Sequence, residues 1–249
     1  MTAPEAQPAD LPGLGKIALV TGGSRGIGAA ICRALARTGS DVAVGYRTNA
    51  AAAGSVRAQV EGAGRKAVTV QGDVRHPEDI EDIVCQARRD LGEIDIFVSN
   101  AGQMTPAQLT DIDATAWDEA MAEHARAAFL FSKKVIPGME SRSYGRILFV
   151  SSISAYTGGA LGPHYSAAKA ALLGLMHSLA AQCAKSGITV NSIAPSLIET
   201  GPRDPGLIRQ IPVSRFGTPA EVAELAAAII HNGYITGQTI LIDGGQRMN

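Results

Sequence analysis

Tyr165 and Lys169 lie four residues apart in a segment with a helical pattern, residues 164–185. At that spacing the two side chains share one face of a helix. A lysine ammonium close to a phenol lowers the pKa of the phenol, so the tyrosine could exchange protons near neutral pH. Thirteen residues upstream, Ser152 follows an apolar run, and its hydroxyl could hydrogen-bond a substrate carbonyl. These residues predict acid–base chemistry on a carbonyl group. Ser151 could replace Ser152, and the Tyr–Lys pair alone could also be two solvated side chains.

A glycine-rich segment, Thr21-Gly22-Gly23-Ser24-Arg25-Gly26-Ile27-Gly28, separates an apolar run from a helical pattern. Its glycines would let the backbone turn sharply and approach a pyrophosphate closely, while the helix that follows offers free N–H groups. The Gly-x3-Gly-x-Gly spacing differs from the commoner GxGxxG fingerprint. The segment predicts a dinucleotide phosphate site, with a plain glycine-rich turn as the alternative.

The residues after the second predicted strand indicate which dinucleotide binds. Proteins that select NAD usually place an acidic residue there, on the free 2′-hydroxyl. Here Tyr46 is followed by Arg47, Thr48 and Asn49, and Arg25 stands inside the glycine-rich segment. Two guanidinium groups suit a 2′-phosphate, so we predict NADP(H) as the cofactor. The alternative is that one or both arginines only cover the surface.

Short apolar runs alternate with longer helical patterns along the chain, and this alternation predicts the fold that positions these residues. The predicted strands span residues 16–20, 42–46, 67–70, 94–98, 146–150, 189–193 and 239–242, and the helical patterns span residues 26–38, 50–62, 77–91, 115–138, 164–185 and 218–231. The apolar runs are continuous, as in strands buried on both faces. We therefore predict one α/β domain over residues 15–249, a Rossmann-type doubly wound parallel sheet with helices on both faces. Ligands bind such sheets beyond the carboxyl ends of the strands, where the candidate residues lie.

Length and composition exclude several classes of protein. The 249 residues are 46% hydrophobic, too apolar for a disordered chain, and the net charge of −1 gives no electrostatic attraction to nucleic acid or a membrane surface. No apolar run reaches the roughly 18 residues of a membrane span. Cys32, Cys85 and Cys183 lack metal-site spacing, so we predict no metal site and reduced thiols in a cytoplasmic protein. Residues 1–14, rich in Pro and Ala, are predicted to be a disordered tail.

Taken together, the motifs resemble those of the classical short-chain dehydrogenase/reductase (SDR) family over about residues 15–249. The shared motifs are the Thr-Gly-x3-Gly-x-Gly segment, Gly72-Asp73-Val74, Asn100-Ala101-Gly102, Ser152, Tyr165-x3-Lys169, Asn191-Ser192-Ile193-Ala194-Pro195, and Thr236-Gly237-Gln238 with Asp243-Gly244-Gly245. The resemblance implies about seven strands in the order 3-2-1-4-5-6-7 and a homotetramer.

The resemblance also implies a set of cofactor-binding residues. They are Thr21, Gly22, Ser24, Arg25, Gly26, Ile27, Gly28, Arg47, Asp73, Val74, Asn100, Ala101, Gly102, Tyr165, Lys169, Pro195, Ile198 and Thr200. In the family pattern Asp73 accepts from the adenine amino group, Asn100 and Ala101 line the adenosine ribose, and Thr200 flanks the nicotinamide carboxamide with Pro195 and Ile198. Asp73 could instead cap a turn, and Thr200 could be a helix N-cap.

For catalysis, the resemblance implies that Ser152 orients the carbonyl and that Tyr165 donates a proton to its oxygen as hydride arrives. Lys169 would bind the nicotinamide ribose and keep Tyr165 acidic. We predict that the substrate contacts Ser154, Tyr156 and Leu161.

One position departs from the family pattern. The family usually has an Asn in the fourth long helix, and this chain has His124 there. An imidazole with its usual pKa near 6.5 can donate, accept and carry a proton, so His124 could be a catalytic relay. It could equally be a residue that only fills the space.

The pattern is most like that of the 3-oxoacyl-(acyl carrier protein) reductases. The resemblance implies reduction of a ketone, such as a 3-oxoacyl thioester or a polyketide-like carbonyl, to a secondary alcohol. Where those enzymes have basic residues for carrier docking, this chain has Pro137 and Ala181, and the substrate lid, residues 201–211, is short. The alternatives are a hydroxyl dehydrogenase, an imine or quinone reductase, or a catalytically weak NADP(H) sensor.

Overall fold

Seven parallel strands form one sheet with helices on both of its faces. The structure is a computed structural model, and it describes residues 12–103 and 106–248. The strands are β1 (Ile17–Val20), β2 (Asp41–Tyr46), β3 (Ala67–Gln71), β4 (Ile96–Ser99), β5 (Gly145–Val150), β6 (Ile188–Pro195) and β7 (Thr239–Ile242). The α-helices of the described residues are α1 (Gly26–Arg37), α2 (Ala50–Gly62), α3 (Pro77–Leu91), α4 (Ala114–Met121), α5 (Ala127–Ser141), α6 (Ser154–Thr157), α7 (Pro163–Cys183) and α8 (Pro219–His231). The strand order 3-2-1-4-5-6-7 confirms the predicted doubly wound sheet.

The alternation of buried side chains along each strand divides the core into two layers. In β5, Leu148 packs with α1, α2 and α8 on one face of the sheet. Its neighbours Ile147 and Phe149 pack with α3, α5 and α7 on the other. Both layers exclude water from the sheet, which explains why the strands are continuously apolar in sequence.

The long helical pattern of residues 115–138 is not one regular helix. It is divided into α4 and α5 by a π-helical turn, Ala122–Arg126. A π-helical turn accommodates one extra residue, and such turns are frequent at functional sites. His124 lies in this turn.

The N-terminal boundary of the packed chain falls before residue 15. Residues 1–11 of the predicted tail lie outside the described residues. Gly13, however, is buried, and its N–H donates to the carbonyl of Thr38 at 2.7 Å. This contact joins the segment before β1 to the end of α1.

Candidate active site

A cleft of about 1360 Å³ runs along the carboxyl ends of the strands and brings most of the predicted site residues together. Of those residues, Gly28, His124 and Tyr156 do not line it. The parallel order of the sheet explains the assembly, because the segments that follow β1 to β6 all meet at one edge of the sheet.

Ser152, Tyr165 and Lys169 meet at the end of β5. The Ser152 hydroxyl accepts a hydrogen bond from the Ser154 N–H at 3.1 Å. Lys169 is buried and donates from Nζ to the carbonyl of Val150 at 2.8 Å, with Nζ 5.6 Å from the centroid of the Tyr165 ring. The alternative serine, Ser151, donates instead to the carbonyl of Lys169 at 2.9 Å. The geometry therefore favours Ser152 as the hydroxyl that faces Tyr165.

The electrostatics of this cluster differ from the sequence-based expectation. Burial raises the pKa of Tyr165 above its ordinary value of 10, although its hydrogen bond with Ser152 acts in the opposite direction. Burial lowers the pKa of Lys169 to about 8, and the charge of Glu123 opposes that change. The expectation that Lys169 lowers the pKa of Tyr165 below its ordinary value is wrong here, because desolvation of the phenolate dominates. Near neutral pH Tyr165 therefore holds its proton, as a general acid must.

His124 lies behind the wall of the cleft. Its buried ring meets the ring of Tyr165 edge-on, with 5.4 Å between the centroids, and it packs directly against Gly102. A Cβ at Gly102 would overlap the imidazole. Burial, helped by the charge of Lys169, lowers the pKa of His124 to about 2. The ring therefore stays neutral near pH 7, which excludes a relay through a charged imidazolium; a relay through the neutral imidazole stays a prediction.

We expect His124 to make the protein sensitive to mild acid. The unfolded chain binds a proton at this histidine below about pH 6.5, whereas the folded chain does not above about pH 2. The unfolded state therefore binds more protons, and folding stability falls as pH falls, by about 2 kcal/mol at pH 5 relative to pH 7. Urea unfolding of wild type and His124→Asn at pH 7 and pH 5 measures this dependence. Between the two pH values the free energy of unfolding of the variant should fall by about 2 kcal/mol less than that of wild type. An equal fall in the free energy of unfolding of both proteins would contradict this prediction. His76→Asn, at an exposed position, is the control and should show the same pH dependence as wild type.

The glycine-rich segment fits the phosphates of a dinucleotide. Gly22 and Gly26 have positive φ angles of 63° and 54°, which favour glycine. A Cβ at Gly22 would lie 2.9 Å from the Cα of Ala101, so a larger residue would close this part of the cleft. The first turn of α1 has no side-chain cap among the described residues, which leaves its N–H groups and positive dipole end for an anion.

Asn100 and Thr21 hold this segment in place. The Asn100 amide donates to the carbonyls of Thr21 and Gly22 at 3.0 and 3.1 Å. The Thr21 hydroxyl accepts from the N–H groups of Asn100 and Ala101, both at 3.0 Å. Both predicted cofactor residues line the cleft, and their side chains also connect the ends of β1 and β4.

Gly28 is the predicted cofactor residue that does not face the cleft. It packs against the carbonyl oxygen of Gly22, and a Cβ there would lie 2.5 Å from the Asn100 Nδ2. Because Gly28 has no side chain, α1 can pack closely against the glycine-rich segment that precedes it.

We expect Gly28→Ala to distort the glycine-rich segment, because the new methyl group would overlap backbone. Overpacking of this kind typically costs about 1–3 kcal/mol of stability. Urea unfolding and NADPH titration should both register the change. Gly54→Ala is the matched control: it lies in α2 with nothing within 4 Å of the new Cβ, and should be neutral or stabilise by up to about 1 kcal/mol. Gly28→Ala with wild-type stability and binding would contradict the close-packing argument.

At the adenosine end of the cleft, Asp73 is already paired. Arg75 donates to both of its carboxylate oxygens, at 2.6 to 3.1 Å, and the Asp73 carboxylate also accepts from the N–H of Arg75. Arg47 lies 3.8 Å from the same carboxylate. The hydrogen bond from Arg75 is the main reason that the pKa of Asp73 falls to about 2. Asp73 therefore does cap a turn, and an adenine amino group would share the carboxylate with Arg75.

On the substrate side, Ser154 and Leu161 line the cleft as predicted, whereas Tyr156 does not. The ring of Tyr156 is covered by Arg247, with the guanidinium carbon 4.3 Å from the ring centroid, and the residue is 38% exposed. The cation–π contact turns this ring toward the C-terminal segment. The lid contains a short 3₁₀ helix, Pro205–Gln210, despite its prolines and glycines.

Several residues that line the cleft are not part of the motifs that predicted the site. They are Gln103, Glu123, Ser196, Arg203, Leu207, Gln210 and Gln246. Glu123 lies next to His124 in the π-helical turn. The departure from the family pattern at His124 was the sequence signal that could have drawn attention to Glu123. Arg203 was visible as a cation in the lid.

Membrane-spanning helices and clusters of metal ligands are both absent from the described residues. None of their helices combines the length and apolarity that crossing a bilayer requires. Residues 12–103 and 106–248 contain no group of three or more His, Cys, Asp or Glu side chains that could bind a metal ion.

Known proteins with similar sequences and structures cover nearly the whole chain. The family model described as short chain dehydrogenase matches residues 16–205. Nodulation protein G of Azospirillum brasilense is 39% identical over 92% of this chain and 97% of that protein. The 3-oxoacyl-(acyl-carrier-protein) reductase FabG of Escherichia coli (strain K12) is 36% identical over 94% of this chain and 98% of that protein. The structure of acetoin dehydrogenase YohF from Salmonella typhimurium matches with a TM-score of 0.88 and 31% identity, over 93% of this chain and 96% of that one.

Proposed function

Because the chain belongs to the short chain dehydrogenase family, whose members are oxidoreductases that use nicotinamide dinucleotides, we propose that it is an NADPH-dependent ketone reductase. The product is a secondary alcohol. The observation that carries this proposal is the meeting of Ser152, Tyr165 and Lys169 in the same cleft as the glycine-rich segment.

When bound, the reduced cofactor would supply the hydride that the carbonyl carbon of the substrate accepts. The Ser152 hydroxyl orients the carbonyl oxygen, and the Tyr165 phenol donates its proton to that oxygen as the alcohol forms. Lys169, with a pKa of about 8, is mostly an ammonium at pH 7 and stabilises the phenolate that Tyr165 becomes. When the cofactor is bound, the same ammonium would also be available to the ribose hydroxyls of the nicotinamide half.

His124 acts in this proposal as a positioning residue. Its neutral ring packs between Gly102 and Tyr165 and fixes both. Glu123, on the cleft side of the same turn, provides the negative charge that supports the ammonium form of Lys169.

The charges at the adenosine end support NADPH over NADH. Arg25 and Arg47 both line the cleft, and the three residues that follow β2, Arg47, Thr48 and Asn49, include no acid. The carboxylate of Asp73, which lines the same end of the cleft, is neutralised by Arg75. A 2′-phosphate would therefore meet uncompensated positive charge.

For the substrate we propose a 3-oxoacyl thioester or a polyketide-like ketone, by analogy with the Escherichia coli relative. We do not propose docking of a carrier protein, because Pro137 and Ala181 stand where the basic docking residues would be. Of the nearby cations, Lys134 and Arg142 are paired with carboxylates, and Lys133 is exposed. The second candidate is a hydroxyl dehydrogenase, favoured by the structural similarity to an acetoin dehydrogenase. A catalytically weak NADP(H) sensor is the alternative without turnover.

We also propose a homotetramer of single-domain subunits, in which the domain includes Gly13 rather than beginning at residue 15, and a cytoplasmic location. Trp117 and Phe129, on α4 and α5, are 40% and 48% exposed, which suits a subunit interface. The free cysteines Cys32 and Cys183 are buried and Cys85 is exposed, as expected for reduced thiols. Light scattering after size exclusion measures the assembly, and a monomer would contradict this part of the proposal.

The decisive experiment follows NADPH oxidation at 340 nm with acetoacetyl-CoA, a decalone, a quinone and an aromatic ketone, with NADH in parallel. Turnover of a ketone with NADPH supports the proposal, and turnover of the quinone alone favours the related chemistry. Tight NADPH binding without turnover of any substrate, in either direction, would favour the sensor.

A further inference from the structure

We propose that Arg203, in the lid, binds the diphosphate of the dinucleotide from the side opposite α1. The inference rests on the proposed function only in that a dinucleotide binds, whether or not it carries a 2′-phosphate. It assigns to the lid a role in holding the cofactor as well as the substrate.

The side chain of Arg203 is anchored to the segment that follows β6. Its Nε donates to the carbonyl of Ile198 at 2.8 Å, and Nη2 lies 3.5 Å from the Thr200 hydroxyl oxygen. A guanidinium has five N–H donors, so this anchoring leaves others to meet a ligand in the cleft, which Arg203 lines.

The anchoring segment lies against the phosphate-binding end of α1. A Cβ at Gly26, the first residue of α1, would lie 3.3 Å from the Cγ2 of Thr200. Arg203 is therefore held on a residue in contact with the helix N-terminus, where anions are favoured. A diphosphate there would have backbone N–H groups on one side and a guanidinium on the other.

The charge of Arg203 has no acidic partner among the described residues. Arg75, Arg142 and Arg215, by contrast, pair with Asp73, Asp95 and Glu221. What distinguishes Arg203 from other arginines in the described part of the chain that lack an ion pair, such as Arg209, is that it also lines the cleft next to Thr200. An uncompensated guanidinium in a cleft attracts an anion, and its planar fork matches two phosphate oxygens.

An anionic group on the substrate is the competing ligand. Arg203 also lines a smaller pocket of about 560 Å³ with Glu199 and Phe216. The diphosphate is favoured because Thr200, which Arg203 approaches, contacts α1, and because the carboxylate of Glu199 would disfavour a second anion in the smaller pocket.

Calorimetric titration of Arg203→Gln, Arg203→Lys and Arg209→Gln tests the proposal. Glutamine can still donate to the Ile198 carbonyl, so the lid should keep its anchor. Arg209 is the matched control, because it is in the same lid and does not line the cleft. We expect Arg203→Gln to raise the Kd for NADPH about 10- to 100-fold, Arg203→Lys to have an intermediate effect, and Arg209→Gln to stay within twofold.

Two fragments locate the contact. The loss in Arg203→Gln should be present for 2′-phospho-ADP-ribose, which has the diphosphate, and absent for 2′-AMP, which lacks it. An unchanged Kd for NADPH and 2′-phospho-ADP-ribose overturns the proposal, as does an equal loss for 2′-AMP. A raised KM for acetoacetyl-CoA with an unchanged Kd for NADPH assigns Arg203 to the substrate.

The role of Arg203 can be tested independently of the proposed preference for NADPH over NADH. If wild type prefers NADH, the preference fails, but Arg203→Gln should still weaken NADH. Failure of wild type to bind either dinucleotide would overturn both proposals. Equal thermal unfolding of the variants and wild type excludes a folding defect.

Discussion

Tyr165→Phe lowers the kcat for ketone reduction by about 10²- to 10⁴-fold, the usual contribution of a positioned general acid. The substitution removes one hydroxyl and keeps the ring that packs against His124. Because the pKa of Tyr165 is raised, the phenol of wild type is protonated throughout the neutral range and can donate. The variant has no proton to give to the carbonyl oxygen at that position. Steady-state oxidation of NADPH at 340 nm measures the loss.

The affinity of the variant for NADPH distinguishes the loss of the general acid from general damage to the active site. The Kd of Tyr165→Phe for NADPH should stay within about twofold of wild type, since Lys169 and the glycine-rich segment are unchanged. Tyr156→Phe is the matched control: it removes the same hydroxyl from a tyrosine outside the cleft and should retain most activity. Full activity of Tyr165→Phe would show that another group, or water, donates the proton.

Local sequence signals were enough to predict the fold and the centre of the site. The strands are continuously apolar because both faces of the sheet are covered, so their number and approximate limits follow from the sequence. The carboxyl-end rule for parallel sheets then brings Ser152, Tyr165 and Lys169 to the glycine-rich segment. These predictions depend on periodicity and short spacing, which are properties of the chain itself.

The parts that could not be predicted depend on contacts between distant segments. The neutral state of His124 follows from burial against Gly102 and from a π-helical turn whose extra residue a helical pattern does not reveal. Tyr156 turns away from the cleft because Arg247 covers it. Asp73 and Arg75 are close in sequence, but only the structure shows that both carboxylate oxygens are occupied.

Arg47→Asp should reverse the preference of the protein for its cofactor. Arg47 lines the adenosine end of the cleft, its side chain is 35% exposed, and its contact with Asp73 is a long 3.8 Å. It is therefore free to turn toward a 2′-phosphate. Losing a charge-assisted hydrogen bond and gaining a repulsive carboxylate should each cost about 1.5–3 kcal/mol, so the ratio of kcat/KM for NADPH to that for NADH should fall about 10²-fold or more. The new carboxylate can also accept from the free 2′-hydroxyl of NADH, as acidic residues do at this position in NAD-selective proteins.

Three further variants show whether Arg47 itself carries the preference. Arg47→Gln removes the cation without adding an anion and should lower NADPH selectivity by a smaller factor. Arg57→Asp makes the same charge change on exposed α2, where Arg57 pairs with Glu61, and should leave the ratio unchanged. A ratio that is also unchanged in Arg47→Asp would mean that Arg47 only covers the surface. Arg25→Gln would then have to abolish the selectivity, because Arg25 is the other cation inside the glycine-rich segment that could meet a 2′-phosphate.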